Sequence, residues 1–216
     1  MNNKLFTVAL GIALTATAMS ASAQKAYKEG VATLSMSVMG QTVDAKNYFN
    51  ADSSAIAFSA GPANIKVLTD NKGTYMVYLV DVAVASIKKA AVATPAEVEE
   101  QYSKLPVYTF APTTETKVIN GFNCKKVVAT DTKDNKKYDV WVTNDISLPM
   151  NAASKVYAKA GGVPIQYTST RDGQTSEITV KSVTEQKLPK GTFAVPADFD
   201  KITMEELNSM RGGGGN

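Results

Sequence analysis

The chain reads as mainly β with short helices: a strongly curved antiparallel sheet, or an incomplete barrel, with two or three short helices across it. Three observations carry this reading. Short segments alternate apolar and polar residues with a period of two; tight-turn pairs such as Asn120-Gly121 join them; and helical segments are few, short and marked by capping residues.

In chain order, Met1-Asn2-Asn3-Lys4 is a short positive start, and Leu5 to Met19 is an uncharged run rich in Ala, Leu and Val. Ala21-Ser22-Ala23 supplies the small residues a signal peptidase needs, so residues 1–23 are expected to be a secretory leader and Gln24 the mature start. Thr7, Thr15 and Thr17 interrupt the apolar run, which is shorter than the ~20 residues of a spanning helix. No membrane span is expected once the leader is removed. The only cysteine is Cys124, so no Cys stands at the expected cut to carry a lipid anchor.

Ala32, Leu34, Met36 and Val38 alternate with Thr33, Ser35 and Ser37, the pattern of a strand with one buried face. Residues 47–50, 55–58 and 64–68 are short strand candidates, and Asp70-Asn71-Lys72-Gly73 is a hairpin turn. It feeds Tyr75 to Val80, apolar on both faces, which implies a strand covered on both sides or lining a cavity. Val82 to Ala93 fits either a continuing strand or a first helix, with its Ala and Lys content favouring helix. Thr94-Pro95-Ala96-Glu97 is a capping box with Pro at the first helical position, predicting a helix to about Lys104 with Val98, Tyr102 and Leu105 on one stripe. After Pro106 the strand pattern returns. Val118-Ile119, the Asn120-Gly121 turn, Cys124 to Thr130 and Tyr138 to Thr143 are consecutive hairpin strands, with Thr132 to Lys137 as the second loop. Asn151 to Ala160 reads as a short helix stopped by Gly161-Gly162, and residues 163–167 and 178–180 as a hairpin about Asp172-Gly173. Thr203 and Glu206 open a last helix from Met204 to about Met210, with Leu207 and Met210 on the body of the domain. One β-rich domain over residues 24–211 is expected, followed by a disordered Gly tail at 212–216.

Charge excludes one class of function. The sequence has 23 Lys and Arg, one of them Lys4 in the leader, against 20 Asp and Glu, with no long run of either sign. The densest basic spots are the pairs Lys125-Lys126 and Lys136-Lys137, which read as solvated strand ends, so no nucleic-acid partner is expected. With no His in the chain, Ser-His-Asp and Cys-His nucleophile systems, His-ligated zinc and histidine pH switching are all excluded. Cys124 has no disulfide partner within the chain and is a buried small hydrophobe, a free thiol or an intermolecular linker. Asp131, Asp134, Asp139 and Asp145 lack the spacing of a calcium loop, and Glu97, Glu99 and Glu100 serve a helix start better than an acid/base pair. Neither a metal nor a cofactor is expected.

What the chain has in excess is large apolar groups: Met36, Met39, Tyr75, Met76, Tyr78, Trp141 and Tyr157. They fit either an ordinary core or an apolar cavity between a curved sheet and the helices near 95–104 and 152–160. Trp141 stands between Asp139 and Thr143 on a face that otherwise reads as solvated, so something is expected to cover it. For the cavity, the ligand-binding candidates are Met36, Tyr75, Tyr78, Trp141 and Tyr157.

Three segments carry a family resemblance. Thr116-Lys-Val-Ile-Asn-Gly-Phe-Asn-Cys-Lys-Lys-Val-Val-Ala129, Tyr138-Asp-Val-Trp-Val-Thr-Asn-Asp-Ile146 and Phe193-Ala-Val-Pro-Ala-Asp-Phe199 resemble a group of exported bacterial envelope proteins. That group is similar to the GLPGLI family and to an uncharacterised secreted domain family, although this chain has only Gly162-Val163-Pro164-Ile165 where the first carries its signature. The resemblance implies a LolA-like fold, a half-open β-barrel with helices across its mouth, and binding of acyl chains in the periplasm or outside the cell. Three functional classes follow. They are a carrier for a lipid, acylated protein or other apolar ligand; a structural or interaction protein with another envelope protein as partner; and an enzyme, for which no nucleophile, base and oxyanion donor can be written.

Overall fold

The computed structural model describes residues 24–38, 40–151, 153–171 and 174–212. Residues 1–23, expected to be a leader, Met39, Ala152 within the expected 151–160 helix, the expected Asp172-Gly173 turn and residues 213–216 lie outside the described residues.

The period-two segments pair mostly with their neighbours in sequence. Lys25–Ala26 (β1) is a short strand set apart. Gly30–Val38 (β2), Gln41–Phe49 (β3), Ser53–Ala60 (β4), Ala63–Asp70 (β5), Met76–Val82 (β6) and Ile87–Val92 (β7) form an antiparallel meander. Residues 82–93, where composition favoured helix, are instead mainly strand, Ile87–Val92 following one 3-10 turn at Ala83–Ala85: Val77 and Leu79 bury the β6 side, and Ala90 and Ala91 on β7 are fully buried against it. Tertiary burial here outweighs a propensity difference of a few tenths of a kcal/mol per residue. Helix Pro95–Ser103 (α1) follows, with the Thr94–Glu97 capping box formed and Val98 buried.

Tyr108–Ile119 (β8), Phe122–Asp131 (β9) and Lys137–Thr143 (β10) continue the hairpin pattern, and Ile146–Ser147 (β11) pairs in parallel with β1. A 3-10 turn at Ser154–Tyr157 stands where a short helix was expected. Val163–Arg171 (β12) and Gln174–Glu185 (β13) make the next hairpin, β12 pairing with β10 and β13 with β2. Asp200–Ile202 (β14) lies parallel to β7, and Met204–Gly212 (α2) closes the described chain, its helix reaching Gly212 at the start of the expected tail. In α2, Leu207 is buried but Met210 is exposed, so one of its two expected anchors faces water.

The result is one twelve-stranded sheet in the order β14-β7-β6-β5-β4-β3-β2-β13-β12-β10-β9-β8, mainly antiparallel, curved and unclosed, with two short helices. The mainly-β reading of the sequence holds. From β7 to β2 the register runs unbroken, whereas shifts occur at Val180/Ser182 against β2, at Trp141/Val142 against β12 and between Pro112 and Thr116 against β9. Such irregularities bend a strand and raise its twist, so curvature concentrates in this half. Asn120 shows how far it goes. In a flat sheet β9 and β13 would stand about 14 Å apart, three spacings of ~4.8 Å. Yet the Asn120 side-chain amide at the β8–β9 tip donates to the Val180 carbonyl at 2.9 Å. Asn120 and Gly121 have φ of 50° and 85°, the left-handed pair that a two-residue hairpin turn demands.

Three apolar clusters hold the sheet. One gathers Leu34, Phe49, Cys124, Ile146, Ile165 and Val180; a second gathers Tyr108, Val127, Val140, Val142 and Tyr157; a third gathers Ala55, Leu68, Val77 and Leu79 beneath Phe193, Val195 and Phe199. The C-terminal segment covering the third cluster is tied down by the Lys88–Asp198 and Lys89–Asp200 ion pairs, at 2.6 and 2.9 Å.

Candidate functional site

A cleft of about 910 Å³ opens between α1, the segment leading into β8, the 154–157 turn and the β5–β6 hairpin loop. Each wall has a local cause. The capping box fixes α1, whose Pro95, Glu99, Tyr102 and Ser103 face the cleft. After the helix, Leu105, Pro106 and Val107 descend to β8, where Tyr108 and Phe110 follow with strand period and present two rings.

The hairpin loop is shaped by Asp70. Its Oδ1 accepts the backbone N–H groups of Gly73, Thr74 and Tyr75 at 2.8, 2.7 and 3.1 Å, and this holds Lys72, Gly73 and Thr74 at the cleft. Partial burial raises the Asp70 pKa, but these donors and the Thr74 hydroxyl outweigh it and hold the carboxyl below its ordinary value.

Opposite, Asn151 Oδ1 accepts from the Ser154 N–H at 2.7 Å, and its Nδ2 donates to Ser54 Oγ, which donates in turn to Asn47. The chain of bonds ties the 154–157 turn to β3 and β4. The turn supplies Lys155, Val156, Ala158 and Lys159 to the cleft and sends Tyr157 inward. Its exit is tight: a Cβ on Gly162 would come within 2.7 Å of the Thr143 carbonyl oxygen, so only glycine fits there.

Beneath the cleft lies a tyrosine-rich layer. The Tyr157 ring lies tilted against Tyr108 and Tyr167, with ring centroids 5.8 and 4.9 Å away, and its hydroxyl donates to the Thr168 carbonyl at 2.8 Å. Burial, then the neighbouring Tyr108 and Tyr167 hydroxyls, drive the Tyr157 phenol far above its usual value, and burial pushes Tyr167 up to about 12. The Tyr108 hydroxyl lies near those of Thr170 and Tyr157 but completes a hydrogen bond with neither, and burial raises it too.

The five residues expected to share a cavity wall are dispersed. Tyr157 is buried under the cleft, in contact with its floor, and Tyr75 adjoins the loop residue Thr74 but is 39 % exposed. Met36 packs at the margin of the cluster around Leu34 and Ile165, and Tyr78 is half-buried in mid-β6 between Val67 and Ala91. Trp141 is half-buried, packing at the margin of the cluster around Leu34, Cys124 and Ile165 and not at the cleft, with the Lys117 ammonium 4.0 Å from its ring centroid, while Val140 and Val142 on either side pack under Tyr157. The two helical segments do border the cleft, whereas the side chains that line it are others. Tyr108, Phe110, Val107, Val156 and the lysines went unnoticed. Alternation of Tyr108 and Phe110 directly after the helix was the one sequence signal available for them.

Among the described residues no group of three or more His, Cys, Asp or Glu is placed to hold a metal ion, and no helix is long and apolar enough to cross a membrane. Cys124 is 1 % exposed, with a thiol raised by burial and then by Asp145, so of its three sequence readings the buried one describes its position.

Residues 12–153 match the family described as Domain of unknown function (DUF4412). The chain belongs to that family. The match covers the β2–β10 region and overlaps the hairpin residues 116–129 on which the resemblance to an uncharacterised domain family rested; a relation to the GLPGLI family is not shown. No curated protein matches the sequence. Among solved structures, PNGF-II in a C2 space group aligns at 17 % identity and a TM-score of 0.49, over 85 % of this chain and 32 % of that one. A DUF1329 family protein from Desulfovibrio piger aligns at 12 % identity and a TM-score of 0.33, over 76 % and 88 % of the two chains. This chain thus spans about a third of the length of PNGF-II.

Proposed function

We propose that the protein is an exported, non-enzymatic binding or carrier module for an apolar ligand such as a lipid or an acylated protein, working in the periplasm or outside the cell. The cleft carries this reading. At about 910 Å³ it lies in the upper part of the roughly 300–1,000 Å³ range of small-molecule sites, and Leu105, Val107, Tyr108, Phe110 and Val156 make its lining mainly apolar. Its openness to solvent suits a ligand that enters and leaves without a lid. Export rests on the leader pattern at residues 1–23.

The test is uptake of the neutral apolar dye phenylnaphthylamine, whose fluorescence rises in an apolar site. Ala158 and Ser103 line the cleft and are exposed, so Ala158→Trp and Ser103→Trp should fill it without disturbing the core. We expect dye uptake by the wild-type protein and at least a several-fold loss in each variant at unchanged melting temperature. No uptake, or uptake indifferent to both variants, removes the cleft as the binding site. In that event the alternative, an envelope protein that acts through surface contacts alone, gains ground.

A further inference from the structure

The rim of the cleft is predominantly positive. Lys72 approaches from the β5–β6 loop and Lys155 and Lys159 from the 154–157 turn, all three exposed, while Glu99 is the one acidic residue among the lining groups. Among the described residues none of these lysines makes an ion pair. This contrasts with Lys88, Lys89, Lys104, Lys126, Lys136 and Lys181, each held by a carboxylate within 3.0 Å. Lys155 and Lys159 both line the same mouth as Lys72, and like charges gathered at one opening favour an anion there. Below them the wall of Val107, Tyr108, Phe110 and Val156 offers no partner for a polar group other than the buried Tyr108 hydroxyl. A ligand that satisfies both levels has an apolar chain and a negative end.

We propose that the cleft selects an anionic single-chain amphiphile, its chain laid on the Tyr108–Phe110–Val156 wall and its carboxylate or phosphate head among Lys72, Lys155 and Lys159. This rests on the cleft being the binding site and adds the charge of what it takes. Lysine suits the task, since an ammonium on a flexible stem acts as a point charge without fixing the geometry of the head. Glu99, on the α1 side, carries the opposite sign and steers the anionic head to the lysine side of the mouth.

Four amphiphiles with the same twelve-carbon chain distinguish head from tail: dodecanoate, dodecyl phosphate, dodecyl maltoside and dodecyltrimethylammonium, each used below micelle formation to displace phenylnaphthylamine from the full-length mature protein. We expect the two anions to displace the dye at lower concentration than the maltoside, with the cation weakest, and the advantage of the anions to shrink as salt is raised. Lys155→Gln combined with Lys159→Gln should weaken dodecanoate about fivefold, the effect of losing partly exposed charge pairs, and leave the maltoside unchanged. Glu99→Gln should tighten dodecanoate. Preference between dodecanoate and dodecyl phosphate tells which head the site favours. If dodecanoate and maltoside displace equally, or if the double variant weakens both alike, the head-group assignment is overturned while the cleft remains a binding site. Failure of the wild-type protein to take up the dye overturns both.

Discussion

Cys124 and the tyrosines show how strongly single residues depend on their burial. Cys124 sits 1 % exposed among Ile165, Val180 and Phe122, and its thiol is held protonated by burial first and by Asp145 second. Thiol reagents should therefore label it slowly in the native protein and fast after denaturation, and Cys124→Ala should cost about 1 kcal/mol for a small cavity; rapid native labelling would contradict this position. The phenols of Tyr108, Tyr157 and Tyr167 are all raised, chiefly by burial. In the unfolded chain they ionise near pH 10, whereas the folded state keeps their protons, so the unfolded state binds fewer protons and stability falls as pH rises. Their contribution is complete below about pH 10 and declines above it, through the value of about 12 reached by Tyr167. In an alkaline titration, tyrosinate absorbance from this group should appear together with loss of the β circular dichroism signal; smooth ionisation in an intact fold would show that the layer is open to water.

At the scale of elements, the β5–β6 hairpin loop shows how a local motif serves the cleft. Four donors converge on Asp70: three backbone N–H groups and the Thr74 hydroxyl. Because the folded pKa lies below the unfolded one, the carboxylate stabilises the loop above an unfolded value near 4 and that contribution is lost as pH falls through the folded value. Asp70→Ala should lower the melting temperature by a few degrees at neutral pH and by less in acid below the folded pKa, where the wild-type carboxyl is itself protonated. The same variant should weaken uptake of the apolar dye, because Lys72, Gly73 and Thr74 lose their support. An equal melting shift at both pH values would mean that packing, not the charge, holds the loop. The 154–157 turn is built by the same means, with Asn151 in the role of Asp70.

For the whole molecule, the sheet curls because its irregular pairings fall in one half, and the α1 and 154–157 segments stand where that half leaves a mouth. The opposite end is capped differently. Phe193, Val195 and Phe199 cover the third cluster and β14 adds one parallel strand, so the apolar interior there is filled. Export belongs to this scale as well: protein recovered from the cell envelope or medium should begin at Gln24 by mass spectrometry, and an intact chain found only in the cytoplasmic fraction would end the carrier proposal.

The sequence by itself determined what short-range physics decides. Period-two segments became strands, the Asn120-Gly121 pair became a hairpin turn, and the Thr94–Glu97 and Thr203–Glu206 boxes became helix starts, because each depends on residues within a few positions of one another. The tertiary structure decided the rest. Residues 87–92 became strand through burial against β6, β14 joined β7 across more than a hundred residues, and Trp141 met Lys117 from another strand over its ring. The cleft was legible in its helical borders and not in its lining. Large apolar residues are needed wherever a sheet is buried, so their presence does not separate wall from core. Which of them face a cavity depends on where three register shifts bend the sheet and on which strands that bend brings together, and no local pattern encodes it.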